Sequence, residues 1–202
     1  MIPKIIHYVW VGGPKPEWVQ KNIDGWRRVL TDYTFQEWNE HNWDISQSQF
    51  AKYFYDKKKF GFVGDPIRID VLNRIGGIYL DTDVEVYKSF DSLLQEKLVF
   101  SRIYNNALGT ATILAEKNTK MMGDLAQMYD AFSLSDLQSE KVDKVSNGIL
   151  QDTFLINMSA FFWQYQTTIE KWRAHLTQAI FEVPAMWFET GTFATHHVAG
   201  SW

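Results

Sequence analysis

The segment that decides the fold runs from Gly64 to Glu85 and reads GDPIRIDVLNRIGGIYLDTDVE. Its Asp65-Pro66 pair is typical of a helix start, because Asp caps the first free N–H groups and Pro suits the first helical turn. The glycines at 76 and 77 are typical of a helix end. The apolar residues 78–80 predict a short buried strand that ends in Asp81-Thr82-Asp83. The segment therefore predicts a helix that leads, through a tight turn, to a strand with two carboxylates at its end.

Strand and helix patterns alternate on both sides of this segment. Apolar or alternating stretches predict strands at 5–11, 34–38, 98–101 and 112–115, and apolar residues at helical spacing predict helices at 16–30, 46–59 and 119–132. This alternation is typical of an α/β domain.

The composition narrows the classes of protein that the chain can represent. Its 202 residues are 46% apolar and 22% charged, which predicts one globular domain with a full core. The net charge of -4 gives no electrostatic reason to expect nucleic acid as a partner. The absence of cysteine excludes disulfides, thiolate metal sites and a cysteine nucleophile. No run of about 18 apolar residues occurs, so we expect no membrane-spanning segment.

Asp81 and Asp83 are the first candidate functional residues. Side chains at i and i+2 of an extended segment point the same way, so the two carboxylates are expected to share a face. Such oxygen ligands suit Mg²⁺ or Mn²⁺, which proteins usually bind through one or two carboxylates together with phosphate oxygens of the substrate. The pattern therefore indicates a phosphorylated substrate. The alternative is an ordinary polar turn after a buried strand.

Four sequence patterns occur in order along the chain. They are Ile2–Gly13, Asp32-Tyr33 with Trp38–Glu40, Asp65 with Arg68, and Gly76–Asp83. Together they resemble glycosyltransferase family 32, the Och1-like and capsular polysaccharide group with the DXD sugar-binding signature. They are also similar to the catalytic domain of large clostridial glucosylating toxins. The resemblance covers residues 2–90 and returns at Gly200–Trp202.

The resemblance implies a GT-A-like fold, which is a single α/β domain with a Rossmann-like mixed central sheet flanked by helices. It implies a retaining hexosyltransferase that depends on Mn²⁺ or Mg²⁺ and acts in polysaccharide synthesis. The donor is expected to be a nucleotide sugar, a UDP-hexose ahead of GDP-mannose, and the acceptor a glycan or a lipid-linked saccharide. Residues 1–202 would form one domain, with a donor-binding part at about 1–115 and an acceptor-binding, closing part at about 116–202.

The resemblance also assigns residues to the donor. Trp10, with Val9 before it, would contact the base, and an indole next to a glycine turn can stack on a base. Asp65 would hold the donor sugar, and Arg68 would act near the diphosphate, where a planar guanidinium suits phosphate oxygens. The alternatives are a core position for Trp10 and a simple surface ion pair between Asp65 and Arg68.

The metal and the leaving group would engage the two aspartates and the C-terminal residues. In the resemblance Asp81 contacts the sugar and ribose and reaches the metal through water, and Asp83 is a direct metal ligand. Ser201 would complete the metal shell and Trp202 would approach the leaving diphosphate, as parts of a mobile lid. His196 and His197 are expected to face opposite ways, and we choose His197 as the metal ligand because of its distance in sequence from Trp202.

Two classes of alternative function remain at the sequence level. One is a non-catalytic module that binds a sugar nucleotide, and the other is a phosphatase similar to the haloacid dehalogenases, whose signature is also Asp-x-Asp after a strand. The aromatic and basic stretch Lys52–Phe60 suits peripheral contact with an anionic membrane, and the alternative is an ordinary solvated face. With no spanning segment predicted, we expect a cytoplasmic protein that contacts the inner face of the membrane.

Overall fold

A computed structural model of the chain describes residues 1–103, 107–142, 144, 182–185, 188–190 and 193–197. The strands in these ranges are β1 (Ile5–Val9), β2 (Thr34–Trp38), β3 (Gly77–Leu80), β4 (Val84–Val86), β5 (Leu98–Ile103), β6 (Ala107–Ala115), β7 (Glu182–Ala185), β8 (Phe188–Thr190) and β9 (Ala194–His196). The α-helices are α1 (Glu17–Val29), α2 (Gln49–Asp56), α3 (Phe60–Arg74), α4 (Lys120–Ala131) and α5 (Leu134–Gln138). None of the helices in these ranges has the length and apolar composition needed to cross a bilayer.

The central sheet contains five strands in the order β2-β1-β3-β6-β5. β1 is parallel to β2 and β3, whereas β6 is antiparallel to both of its neighbours. A second sheet has the order β4-β9-β8-β7, and its neighbouring strands are antiparallel. The chain leaves β1 for β2 on one side and returns to β3 on the other. The carboxyl ends of β1 and β3 therefore form a switch point, which is where α/β sheets place their ligand sites.

The central sheet is covered on both faces, as alternation along its strands requires. On one face Ile6 and Ile78 pack in a buried cluster with Trp26 of α1. On the opposite face Tyr79 packs in a second cluster that contains Val71 of α3. The predicted α/β class, with a mixed sheet flanked by helices, is confirmed.

The glycine turn between α3 and β3 is also confirmed. Gly76 and Gly77 have φ values of +74° and +121°. A Cβ atom at Gly76 would lie 2.7 Å from the backbone nitrogen of Lys117, and one at Gly77 would lie 2.7 Å from the carbonyl oxygen of Ile5. Only glycine fits both the backbone conformation and the space. The turn thereby allows β3 to pair closely with β1.

The start of α3 differs from the prediction. The helix begins at Phe60, so Asp65 is not its N-cap and Pro66 lies inside it. Pro66 has no N–H group, so one backbone hydrogen bond of the helix is missing. Packing holds the turns before it, because the ring of Phe62 stacks on Phe54 with centroids 4.4 Å apart. Tertiary contacts outweigh the local start signal here.

The helix predicted at 46–59 is interrupted. A 3₁₀ turn occupies Ile45–Gln47, and α2 covers Gln49–Asp56. Between them Ser48 is extended, and its Oγ accepts a hydrogen bond from the N–H of Ala51 at 3.2 Å. Ser48 is therefore the N-cap of α2, which explains why a single continuous helix does not form.

Candidate active site

A cavity of about 190 Å³ lies where the carboxyl ends of β1 and β3 meet α3. Its lining residues are Val9, Trp10, Val11, Gly12 and Pro14 around the end of β1, Phe60, Gly61, Gly64 and Arg68 of α3, and Tyr79, Asp81 and Thr82 around the end of β3. Four of the predicted residues, Val9, Trp10, Arg68 and Asp81, are thus brought together on one cavity.

Trp10 is partly buried and follows β1 directly. Its backbone N–H donates to the carbonyl oxygen of Trp38 at 3.0 Å, and its indole Nε1–H donates to the carbonyl oxygen of Gly13 at 3.0 Å. Because both N–H groups bond within the protein, the ring offers a ligand its aromatic surface rather than a polar donor.

The turn after Trp10 is held by its neighbours. Gly12 has a φ of +87°, and a Cβ atom there would lie 2.2 Å from the ring of Phe60. The N–H of Gly12 donates to Oε1 of Glu40 at 3.1 Å, and the hydroxyl of Tyr55 donates to the same oxygen at 3.4 Å. These contacts fix the rim of the cavity beside the indole.

Arg68 is buried in the cavity wall, with 5% of its surface exposed. Its Nη2 lies 2.9 Å from Oδ1 of Asp65 and 3.3 Å from Oδ1 of Asp81. Its Nη1 donates to the carbonyl oxygen of Thr110 at 2.8 Å, and the guanidinium lies 4.6 Å from the ring centroid of Tyr79. The pair of Asp65 and Arg68 is therefore part of a buried network and not a surface ion pair.

The protonation states of this network follow from burial and charge. Burial by itself would lower the pKa of Arg68, but the charge of Asp81, the Tyr79 hydroxyl and the charge of Asp65 raise that pKa above its usual value. Burial raises the pKa of Tyr79 well above its usual value. The Tyr79 hydroxyl accordingly keeps its proton and donates a hydrogen bond to Oδ1 of Asp81 at 2.9 Å. The cavity wall thus carries a permanent positive charge beside a hydrogen-bonded carboxylate.

Asp81 and Asp83 meet through a turn and not along a strand. β3 ends at Leu80, and the N–H of Val84 donates to the carbonyl oxygen of Asp81 at 3.0 Å, which closes a four-residue turn. The expectation that both aspartates extend one strand face is therefore wrong in its geometry. Asp83 is 2% exposed and Asp81 is 8% exposed.

His196 completes this group. One ligand atom from each of Asp81, Asp83 and His196 lies within 4.8 Å of the others, and Nε2 of His196 is 3.3 Å from Oδ1 of Asp83. β9 pairs with β4 so that His196 lies opposite Val84 in register. The pairing of two strands that are distant in sequence therefore brings the histidine to the aspartates.

The choice of His197 over His196 as the residue beside the aspartates is corrected by this geometry. Nε2 of His197 lies 2.9 Å from Oε2 of Glu85, and both side chains are about half exposed. Neighbouring residues of a strand point to opposite faces, as the sequence predicts, but the register with β4 turns His196 inward. Phe193–Thr195, which precede the two histidines, are buried.

The donor atoms of the group fit the metal that the resemblance implies. Carboxylate oxygens suit Mg²⁺ and Mn²⁺ alike, and an imidazole ligand favours Mn²⁺. Among the described residues, this buried region brings the carboxyl groups of Asp65, Asp81 and Asp83 together with the guanidinium of Arg68. A divalent cation would neutralise the excess negative charge, so the residues present fit a metal site.

Ser201 and Trp202 lie outside the described residues. The carbonyl oxygen of Thr110 and the hydroxyl of Tyr79 also belong to the network around Arg68. A backbone carbonyl carries no sequence signal, and Tyr79 lies within the apolar strand pattern 78–80. His7 is fully buried in the core, where its Nε2 lies 2.9 Å from the carbonyl oxygen of Gly76 and its Nδ1 accepts a hydrogen bond from the indole of Trp38 at 3.1 Å.

Comparison with known proteins identifies the region that supplies Asp65, Arg68, Asp81 and Asp83 to this site. Residues 16–100 match the family described as "Glycosyltransferase sugar-binding region containing DXD motif". The chain is 35% identical over 123 residues to inositol phosphoceramide mannosyltransferase 3 of Schizosaccharomyces pombe, an alignment that covers 54% of this chain and 33% of that protein. It is 34% identical over 103 residues to mannosyl phosphorylinositol ceramide synthase CSH1 of Saccharomyces cerevisiae, with 47% and 26% covered. The chain thus spans only about a third or less of the length of these relatives.

A solved structure supports the same assignment at the level of the fold. The structure titled "PaToxG Glycosyltransferase" superposes with a TM-score of 0.57 at 16% identity, over 87% of this chain and 79% of that one. Such low identity speaks for the fold alone. The matched DXD region and the mannosyltransferase relatives support a family 32-like glycosyltransferase region at residues 16–100, and the structural match shows the GT-A fold.

Proposed function

We propose that this protein transfers a hexose from a nucleotide sugar to a saccharide acceptor, with retention of configuration and with a divalent cation. The observation that carries the proposal is the meeting of four features at one site. These are an aromatic surface (Trp10), a buried guanidinium (Arg68), a carboxylate on the cavity wall (Asp81) and the Asp83–His196 pair next to it. An aromatic surface suits a base, a guanidinium suits phosphate, and clustered carboxylates suit a cation.

Asp81, Asp83 and His196 would hold the cation, Mn²⁺ ahead of Mg²⁺. When bound, such an ion neutralises negative charge that develops on the diphosphate leaving group. Asp83 and His196 are close to one another, since Nε2 and Oδ1 lie 3.3 Å apart. This arrangement limits the rearrangement that binding requires. Ser201 remains a further candidate ligand on the strength of the resemblance.

The chain's own residues would act on the donor as follows. Trp10 and Val9 bind the base, and Asp65 keeps Arg68 oriented towards the cavity. Arg68 stabilises negative charge on the diphosphate as the bond between sugar C1 and the phosphate oxygen breaks. The acceptor oxygen bonds to C1 on the same face, and its proton passes to the departing diphosphate. Trp202 would donate its indole N–H to that diphosphate.

This same-face route suits the site because it needs no enzyme nucleophile. Asp65 is paired with Arg68 at 2.9 Å, and Asp81 accepts hydrogen bonds from Tyr79 and lies 3.3 Å from Arg68. Carboxylates held in this way by donors are poor nucleophiles, because their negative charge is already stabilised. Two successive displacements through a covalent intermediate are therefore disfavoured at this site.

The donor and acceptor follow from the chemistry and from the relatives. We rank a UDP-hexose first as the donor, with galactose or glucose as the sugar. GDP-mannose ranks second, and the names of the relatives, which refer to mannosyl groups, support it. The same names refer to a ceramide lipid that carries phosphoinositol, which supports a lipid-linked saccharide as acceptor, with a soluble glycan as the alternative. The donor part would lie in residues 1–115, where the cavity is formed.

A lipid-linked acceptor requires contact with a membrane, and the turn Lys57–Lys59 offers a surface for it. The three lysines are exposed and, within the described residues, none forms an ion pair with a carboxylate. Phe60 and Gly61 follow them directly and line the cavity. Each lysine near an anionic membrane contributes about 1 kcal/mol of attraction. The cavity would thus face the surface on which the acceptor is held.

The experiment that tests the proposed function is a panel of UDP- and GDP-hexoses, with and without Mn²⁺. We expect release of the nucleoside diphosphate that depends on Mn²⁺ and is fastest with a UDP-hexose, and an NMR spectrum of the product that shows retention. Binding without release would indicate a non-catalytic sugar-nucleotide module. Release of inorganic phosphate would indicate the phosphatase alternative. Inversion of the anomeric centre would exclude the same-face route.

A further inference from the structure

We propose that Asn22 of α1 is a positioning residue for the turn that carries Asp81 and Asp83. The side-chain nitrogen Nδ2 of Asn22 lies 2.8 Å from the carbonyl oxygen of Thr82 and 2.8 Å from the carbonyl oxygen of Val84. These two carbonyl groups flank Asp83 on either side. Since both partners are acceptors, the NH₂ group must face them, and it donates one hydrogen to each.

The rest of the turn is held by other groups. The carbonyl oxygen of Asp81 accepts from the N–H of Val84, and that of Asp83 accepts from the N–H of His197 at 3.1 Å. Nε1 of Trp26 also donates to the carbonyl oxygen of Val84, at 2.6 Å. Each carbonyl oxygen from residue 81 to 84 is therefore engaged. Among the described residues, Asn22 supplies the hydrogen bond to Thr82.

The position of Asn22 on its helix supports a specific role. α1 has an apolar face in which Val19, Ile23 and Trp26 are buried, and Asn22 lies on the edge of that face, partly buried. An amide at such a position costs stability unless it is hydrogen-bonded, and a leucine there would extend the apolar face. Both donor hydrogens of this amide are used on the metal-binding turn. The geometry thus links α1 to the orientation of Asp83.

This inference rests on the proposed function, because it concerns the site at which the cation would bind. Groups that orient metal ligands typically change metal affinity about 10- to 100-fold when they are removed. Asn22 acts on the backbone on both sides of Asp83. Its effect should therefore appear in metal affinity and in the order of the turn, with a smaller change in global stability.

The test compares Asn22→Leu, which has nearly the same volume and no donor, with Gln20→Leu. Gln20 also lies on α1, but its amide donates to Asp24 on the exposed side. The readouts are the dissociation constant for Mn²⁺, measured by electron paramagnetic resonance of free Mn²⁺, and hydrogen exchange of the amides of residues 82–84 without metal. We expect Mn²⁺ affinity to fall about tenfold or more and exchange to accelerate in Asn22→Leu only.

The outcomes separate this inference from the function on which it rests. If the unaltered protein does not bind Mn²⁺, the proposed metal site fails. If it binds Mn²⁺ and Asn22→Leu binds it equally well with unchanged exchange, the positioning role fails. If Asn22→Leu does not fold, Asn22→Ala takes its place, since Ala is favourable in a helix. Should both variants fail to fold, Asn22 is a structural residue and the inference is overturned.

Discussion

At the scale of single residues, substitution of Asp83 is the most direct test of the proposed metal site. Its carboxylate is almost completely buried beside His196. Asp83→Asn keeps the volume but removes the ionised ligand, so we expect loss of at least about a hundredfold in turnover with a normal melting temperature. Asp124→Asn, which changes an exposed carboxylate paired with Lys120, is the control. Activity of Asp83→Asn within about tenfold of the unaltered enzyme, or about 1.4 kcal/mol, would contradict the metal assignment.

The two neighbouring histidines provide a matched pair of variants. His196 lies in the aspartate group, whereas His197 lies beside Glu85 on the outside. We expect His196→Ala to weaken Mn²⁺ binding about tenfold or more, and His197→Ala to change it by less than about threefold. Titration with Mn²⁺ measures both. The reverse order of effects would restore His197 as the ligand and would mean that β9 pairs in another register.

Trp10 is expected to contribute to nucleotide affinity by stacking. Trp10→Ala should weaken binding of the nucleoside diphosphate by about 1 to 3 kcal/mol, and Trp10→Phe should recover part of the loss. Isothermal titration calorimetry measures this change. Trp18→Ala removes a more exposed indole that does not line the cavity and serves as the control. Equal affinity for Trp10→Ala and the unaltered protein would show that the base binds elsewhere.

At the scale of elements, the end of α2 carries a residue that the backbone does not favour. Lys58 has a φ of +59°. Its N–H bonds to the carbonyl oxygen of Tyr55, and the N–H of Lys59 bonds to that of Phe54, which is the Schellman pattern. Glycine is usual at the position of Lys58, because the left-handed conformation costs other residues about 1 to 2 kcal/mol. We therefore expect the charge of Lys58 to have a use that offsets this cost.

This conflict between backbone preference and charge predicts that one substitution has opposite effects on stability and on membrane binding. Lys58→Gly should raise the free energy of unfolding by about 0.5 to 1 kcal/mol, because it relieves the backbone at a smaller entropic cost. It should also weaken binding to vesicles of anionic lipid. Denaturant unfolding and vesicle sedimentation measure the two effects.

Lys57→Gly is the matched control, because it removes the same charge at a residue with a φ of -88°. It should weaken vesicle binding equally but lower stability by about 0.5 to 1 kcal/mol. Vesicle binding that is unchanged in both variants would remove the membrane from the proposal.

At the scale of the whole molecule, the raised pKa values of two buried tyrosines predict that the free energy of unfolding falls at alkaline pH. Burial, with the charge of Glu37, raises the pKa of Tyr8 to about 12, and burial, with Asp91, raises that of Tyr33 to about 12. In the unfolded chain tyrosine titrates near about 10. Above pH 10 the unfolded state therefore holds fewer protons than the folded state, so stability falls as pH rises.

We accordingly expect the free energy of unfolding to be independent of these groups below about pH 10 and to fall between about pH 10 and 12. Urea unfolding at a series of pH values measures the slope. The double variant Tyr8→Phe with Tyr33→Phe should reduce that slope, since two groups no longer titrate. An unchanged slope would assign the alkaline unfolding to other residues.

Much of the fold could be predicted because its signals are local. The helical spacing of α1, the strand β2, the glycine turn at 76–77 and the position of the aspartates all depend on residues a few positions apart, whose periodicity and turn chemistry reflect short-range sterics. The motifs that carry the family resemblance are local for the same reason. The glycine turn at 76–77 and the aspartates that follow it could be predicted without any knowledge of the tertiary structure.

The composition of the site was decided by long-range contacts. The start of α3 at Phe60 depends on packing against α2, and the burial of Arg68 depends on the carbonyl group of Thr110, 42 residues away in sequence. The side chain of His196, and not that of His197, lies beside the carboxylate of Asp83, because the register of β4 and β9 is set by pairing across the sheet. Asn22 reaches the same turn from α1, 60 residues before Thr82. The sequence determined which residue types and turns are present, whereas the tertiary structure determined which of them meet, because strand register and helix packing depend on burial across the whole chain and not on the residues nearby.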